Sequence, residues 1–264
     1  MVSRITVNGT HFNVDEELPH RFWSGVNDGR WEPETFRLFD RVLLPDWRFV
    51  DIGAWMGPTA LYAARKVARV DAYECDPVAL GALRRNIGVN PDLAPRMTTF
   101  EHAIGDEDGF LRLYSRALGN SETSIYAHHQ RGAEFHTLGE SVMAGVRDVR
   151  SVFRDKGYAS CAQTFVKIDV EGAEFRILPR LGELVPDSRC VWFVSFHEWN
   201  LNPPGLPADP YRAAQMINAL SVFAPLNWYS ADLRKLDKAA VFDGLIQRTW
   251  PIHSSFVFSQ SELA

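Results

Sequence analysis

Short apolar runs alternate with helix-like stretches from about residue 48 to residue 197, and this alternation constrains the fold more than any other feature of the chain. The runs are WRFVDIG, RVDAYE, MTTFEHAI, TFVKIDV and RCVWFVSF; the spacing between them predicts helices over Gly57 to Lys66, Pro77 to Val89 and Ala173 to Leu181. Strands joined by helices make βαβ units, whose crossovers build a parallel sheet with helices on both faces. A helix over Tyr211 to Phe223 and two late strands, LNWYS and SSFVFS, extend the pattern. The expected fold is α/β, a doubly wound, seven-stranded, mostly parallel sheet. Between EHAIGDEDG and TFVKIDV the alternation lapses: FLRLYS reads as an edge strand, and residues 115–145 read as an insertion serving as a lid or acceptor loop.

The N-terminal segment is expected to add a hairpin and a helix over residues 1–46, ahead of a catalytic core over 47–264, all in a single domain. Asn8-Gly9 lies between RITV and HFNV, the pattern of a type I′ hairpin, and that reading outweighs a glycosylation sequon at Asn8. In PETFRLFDRVL the residues Phe36, Phe39, Val42 and Leu43 fall on one helical face.

Composition removes several function classes. A chain of 264 residues with 46% hydrophobic and 23% charged residues has the balance of a soluble globular protein, and a net charge of -5 offers nucleic acid no attraction. Cys75, Cys161 and Cys190 lie far apart with no CxxC or histidine pairing, which excludes a disulfide framework and a zinc site and fits a reducing cytoplasm. The N-terminus has no basic stretch followed by an apolar one, and no window approaches the roughly eighteen apolar residues of a membrane span.

The stretch FVDIGAWMGPTALYAA, residues 49–64, has the order strand, tight turn, helix. Such a turn aims backbone N–H groups and a helix N-terminus at a ligand beyond the carboxyl ends of parallel strands. Gly53 permits the turn and Gly57 permits close approach by ligand or backbone, with Ala54 and Trp55 between them. A dinucleotide fingerprint would need a middle glycine, and Trp55 stands there instead. An acid at the strand end, Asp51, repels pyrophosphate and suits a cationic cofactor. Glu74, at the end of the next strand, is placed to accept ribose hydroxyls. Adenosine together with a positive charge points to S-adenosylmethionine. The competing reading makes the glycines mere packing and Glu74 a helix cap.

FVDIGAWMG, DAYECDPVALGALRRNIGVN, HAIGDEDGFLRLY and above all FVKIDVEGAEFRIL resemble the successive motifs of the FkbM family of S-adenosylmethionine-dependent methyltransferases. The resemblance covers residues 48 to 181. It implies a Rossmann-like class I methyltransferase fold and assigns Asp51, Gly53 and Gly57 to the first motif, Glu74 to ribose, and Asp106 to the acid after the third strand. It further implies adenine contacts near His102 and Ala103, a Ser-rich loop at GNSETS over the cofactor, and as acceptor a hydroxyl of a glycan, glycolipid or polyketide-like metabolite. Trp55 stands where the family usually has a small polar residue.

Chemistry is expected from residues at the carboxyl ends of strands near the turn. KIDVEGAE supplies Asp169, Glu171 and Glu174, and FVSFHEWN supplies His197 and Glu198. Asp169 and His197 are expected to act at the acceptor hydroxyl, His197 as general base, with Glu171 beside them. Glu174 is assigned mainly to its helix dipole. Asp169, Glu171 and His197 are also the donor set for a divalent metal, which no ligand spacing requires. His128 and His129 are taken as solvated, and Trp23, Trp31, Trp199 and Trp228 as stacking or core residues. Two rivals stay open: an NAD-dependent oxidoreductase, and a degenerate methyltransferase fold acting as a non-catalytic binding protein.

Overall fold

In the computed structural model the described residues are all but 16–19, 132–133, 138, 161–162, 202–211, 248, 250–254 and 264. Asn8 and Gly9 both take positive φ, 48° and 78°, and join β1 (Val2–Val7) to β2 (Thr10–Asp15) as the type I′ pattern requires. Two helices follow, α1 (His20–Asn27) and α2 (Pro33–Val42). Phe36, Phe39, Val42 and Leu43 are all buried, as their spacing predicts.

The alternation then runs β3 (Arg48–Ile52), α3 (Pro58–Ala64), β4 (Arg69–Tyr73), α4 (Pro77–Gly88) and β5 (Met97–Phe100). Next come β6 (Ala103–Gly105), β7 (Gly109–Ser115), β8 (His128–Arg131), β9 (Glu134–Thr137) and β10 (Glu140–Asp148). It resumes with α5 (Val149–Lys156), β11 (Thr164–Ile168), α6 (Glu174–Ile177) and β12 (Val191–Ser195). The chain closes through α7 (Arg212–Ser221), β13 (Asn227–Ser230), α8 (Lys238–Ile246) and β14 (Ser255–Ser259).

Among the described residues the main sheet has seven strands in the order β13-β14-β12-β11-β3-β4-β5. Neighbours from β12 to β5 pair in parallel, and β14 runs antiparallel to both β12 and β13. β11 is buried along its whole length, because apolar residues face both sides of a central parallel strand. One core packs Phe49, Phe165 and Phe193 against α2, α3 and the hairpin. The other packs Val50, Val166, Trp192 and Val194 against α5, α7 and α8. Since β3, β4, β11 and β12 are parallel, Gly53, Glu74, Asp169 and His197 all emerge on one rim.

Four expectations need correction. MTTFEHAI is not one strand: β5 stops at Phe100, and after a bend at His102 the chain enters β6, which pairs with β10 in a separate three-stranded sheet. FLRLYS joins that sheet too, antiparallel to β10, rather than edging the main one. Part of the 115–145 insertion is therefore strand, since Ala144, Val146 and Asp148 alternate inward along β10. Finally, Ala173 to Leu181 is a single α-turn, α6, followed by a 3₁₀ turn at Leu178–Leu181, where Pro179 removes a donor from the α ladder.

Candidate active site

Gly53 sits at φ +84°, and a Cβ there would lie 1.9 Å from the Asp169 carbonyl oxygen, so only glycine lets the first turn pass the end of β11. At Gly57 (φ +94°) the neighbour is Leu83 Cδ1 of helix α4, 2.5 Å from the added Cβ. Trp55 between them adopts φ 48°, a left-handed conformation that costs a non-glycine residue energy, and its indole Nε1 donates to the Gly119 carbonyl at 2.8 Å.

The carboxylate of Glu74 accepts from the Trp55 backbone N–H at 2.8 Å and from that of Asp76 at 2.7 Å. It does not cap α4. That role falls to Asp76, whose Oδ1 accepts from Val78 and Ala79. Burial pushes the Glu74 carboxyl up to about 7.

Asp51 lies beneath the site and not on its wall. Its side chain is 0% exposed, accepts from Thr59 Oγ1 at 2.7 Å and pairs with Lys167 Nζ at 3.2 Å. Lys167, itself 3% exposed, also reaches Asp169 at 3.1 Å. Burial would depress this ammonium, but Asp169 and then Asp51 overcome it and hold it protonated. Burial likewise opposes ionisation of Asp169, yet Lys167 and then His197 keep its carboxyl below the usual range. Lys167 thus bridges the buried Asp51 to Asp169 at the edge of the cleft.

Asp169, Glu171 and His197 converge. His197 Nε2 lies 3.3 Å from Asp169 and 3.4 Å from Glu171, while Nδ1 lies 2.7 Å from Glu174. Glu174 is fully buried and also accepts from the backbone N–H groups of Val170 and Gly172. Its work is to orient the imidazole, beyond complementing a dipole. Burial alone would lower the His197 pKa, but the three carboxylates, Glu171 foremost, push it up to about 10. That shift favours the imidazolium, the form without a lone pair for base catalysis. Glu171, raised to about 7 mainly by burial, has the poise expected of a base. Its backbone is strained, at φ 49°.

These elements wall an open cleft. Gly53, Trp55, Glu74, Asp169 and Glu171 all line it, together with Asn120, Ser121 and Thr123 of the GNSETS loop. Near His102 and Ala103 the lining turns apolar at Ile104, Leu111 and Leu113. The His102 ring has its Nε2 buried without a hydrogen-bond partner among the described residues, and burial lowers its pKa. Asp106 also lines the cleft and is gripped by Arg176 at 2.9 and 3.0 Å. Asp51, Ala54, Gly57 and His197 stand behind the walls.

Sequence reasoning missed Lys167, although a lone lysine inside the buried run TFVKIDV signals a charge that must find acids. It also missed Glu32, whose carboxyl burial and then Asp169 push up to about 7. Trp23 and Trp228 belong to the cores, and Trp31 packs on Phe22 at 5.1 Å. The side chains of His128, His129 and Trp199, the loop NPPGLPADP and Cys161 lie outside the described residues.

No protein-family model matches the chain, and no curated protein does. Among solved structures it is similar to a methyltransferase FkbM from Methylobacillus flagellatus KT, at 13% identity and a TM-score of 0.47, over 93% of this chain and 56% of that one. A precorrin-6y C5,15-methyltransferase from Geobacter metallireducens GS-15 aligns at 12% identity and 0.43, over 94% and 93%. A 16S rRNA N2 G1207 methyltransferase of T. thermophilus, in complex with AdoMet and guanosine, aligns at 11% and 0.42, over 99% and 50%. The chain thus spans about half the length of the first and third.

Proposed function

We propose that this chain is an S-adenosylmethionine-dependent O-methyltransferase, a single doubly wound domain acting in the cytoplasm. The observation that carries the reading is that one cleft is lined by Gly53 and Trp55 of the first turn, by Glu74, and by Asp169 and Glu171. The residues present fit the cofactor: a carboxylate at the end of β4 for a diol, an apolar end at Ile104 and Leu111 for a base, and acids to balance a sulfonium. When bound, the cofactor supplies a methyl group for in-line displacement. Glu74 would hold the ribose hydroxyls, the backbone from Gly53 to Trp55 the amino-acid end, and His102 and Ala103 the adenine.

Glu171 takes the proton of the acceptor hydroxyl, and the His197 imidazolium keeps Asp169, Glu171 and Glu174 from repelling one another. Positioning supplies the rest of the rate. The FkbM resemblance supports a hydroxyl of a glycan, glycolipid or polyketide-like metabolite as acceptor, and the net charge of -5 favours such an acceptor over nucleic acid. A metal-assisted form of the same reaction is favoured by one observation: ligand atoms of Asp169, Glu171 and His197 lie within 4.8 Å of one another. In that form Asp169, Glu171 and a deprotonated His197 would hold the ion, which would supply Lewis-acid polarisation of the acceptor hydroxyl.

Calorimetry with S-adenosylmethionine and with NAD, followed by transfer of labelled methyl to hydroxyl compounds with and without a chelator, tests the proposal. Binding of the first cofactor alone, with label in an oxygen-linked product, is expected. Binding of NAD alone would establish the oxidoreductase, and cofactor binding with no transfer to any acceptor would favour the non-catalytic protein.

A further inference from the structure

Trp55, Glu74, Asp76 and Gly119 close a ring of hydrogen bonds along the cleft. The backbone N–H groups of Trp55 and Asp76 donate to the two oxygens of Glu74, at 2.8 and 2.7 Å. The Gly119 N–H donates to Asp76 Oδ2 at 2.7 Å, and the Trp55 indole returns to the Gly119 carbonyl at 2.8 Å. Thr123 Oγ1 adds a bond of 3.0 Å to the same Asp76 oxygen. Gly119 lies against the first turn of α4 so closely that a Cβ would come within 2.6 Å of Val78 Cγ1, at φ +90°. The far end of the segment is tied down as well, Ser124 Oγ donating to the Glu171 carbonyl at 2.6 Å.

The buried Asp76 carboxylate therefore divides its work: Oδ1 caps α4, and Oδ2 holds residues 119–123 as a strap whose Asn120, Ser121 and Thr123 face the cleft. We propose that Asp76 is a positioning residue for donor binding, fastening this strap to the turn that carries Glu74 so that the donor is released only when the strap comes away. The proposal rests on the cofactor reading above. It extends that reading from the residues that touch the donor to the one that governs how long the donor stays.

Asp76→Asn separates the two roles. Asparagine caps helices as well as aspartate does, but its Nδ2 is a donor and cannot accept from the Gly119 N–H. The expected result is a thermal midpoint within a few degrees of wild type, lost hydrogen-exchange protection at Gly119 in the free protein, and dissociation of S-adenosylmethionine accelerated by about tenfold or more. Thr123→Val should give a smaller effect in the same direction and Thr123→Ser should restore it, which keeps the test open even where Asp76→Asn fails to fold. Unchanged exchange at Gly119, or an unchanged dissociation rate with the strap demonstrably loosened, overturns the proposal. A wild-type protein that binds no S-adenosylmethionine overturns the cofactor reading and this role with it, and that outcome is distinguishable because it precedes any substitution.

Discussion

Glu174 approaches Nδ1 of His197 to 2.7 Å and so commits the other ring nitrogen to Asp169 and Glu171. A histidine held among three carboxylates stabilises the fold only while it is charged. Its pKa of about 10 stands above the ordinary 6.5, so this contribution is complete below pH 6.5 and is lost as pH rises toward 10. The midpoint of thermal unfolding should accordingly fall between pH 7 and 10 in the wild type, and fall much less in His197→Asn, which should itself be less stable at pH 7. Histidine NMR is expected to show the imidazolium still present at pH 8. Titration near 6.5 would refute the arrangement, and release of that proton on adding magnesium or manganese would identify the metal-assisted form.

Glu171 should control the pH dependence of turnover. Its carboxyl is raised to about 7, and only the ionised form accepts a proton, so the rate is expected to climb with pH and level off above that value. Glu171→Gln should lower kcat by a factor of about 10² to 10⁴ and flatten the ascending limb, while cofactor affinity holds. Near-normal turnover in this variant would leave positioning alone as the source of rate.

Donor affinity should carry its own pH signature through Glu74. The carboxylate accepts hydroxyl donors and the protonated acid does so poorly, so affinity should strengthen as pH rises through about 7. Glu74→Ala should weaken binding by roughly ten- to a hundredfold, from about 1.5 to 3 kcal/mol for bonds to a charged group, and should abolish the dependence. Calorimetry at pH 6 and pH 8 measures both.

Lys167→Met should be among the most damaging single changes in the protein. It leaves Asp51, wholly buried, and Asp169 without their common cation, at an expected loss of about 3 to 5 kcal/mol of stability. Adding Asp51→Asn should recover part of that loss, because the uncompensated charge is then removed. A denaturant-based double-mutant cycle showing strict additivity would mean the two residues are not coupled.

Much of the fold was legible because period and punctuation are local. Phe36, Phe39 and Val42 declare a helical face within a dozen residues, and Asn8-Gly9 declares its turn by itself. What was not legible depends on where strands go once they leave the sheet. Nothing local tells MTTFEHAI that its second half will pair with Val146 to Asp148. In the site, the acids and His197 could be found because each ends a strand on one rim. Their roles could not, because ionisation is decided by neighbours remote in sequence: Lys167 pairs with the buried Asp51, and Glu171 with Glu174 and Asp169 raises the pKa of His197.

The contact at Gly53 bears on how this protein can change over generations. With the Asp169 carbonyl 1.9 Å from where a side chain would begin, the turn after β3 and the turn that offers Asp169 and Glu171 meet backbone to backbone. Neither can drift without displacing the other. Under the proposed function, change that suits another acceptor is channelled into surfaces that do not share this junction, such as the strap and the wall of β6, β7 and β10, while the donor turn and the turn of Asp169 and Glu171 stay coupled as one piece.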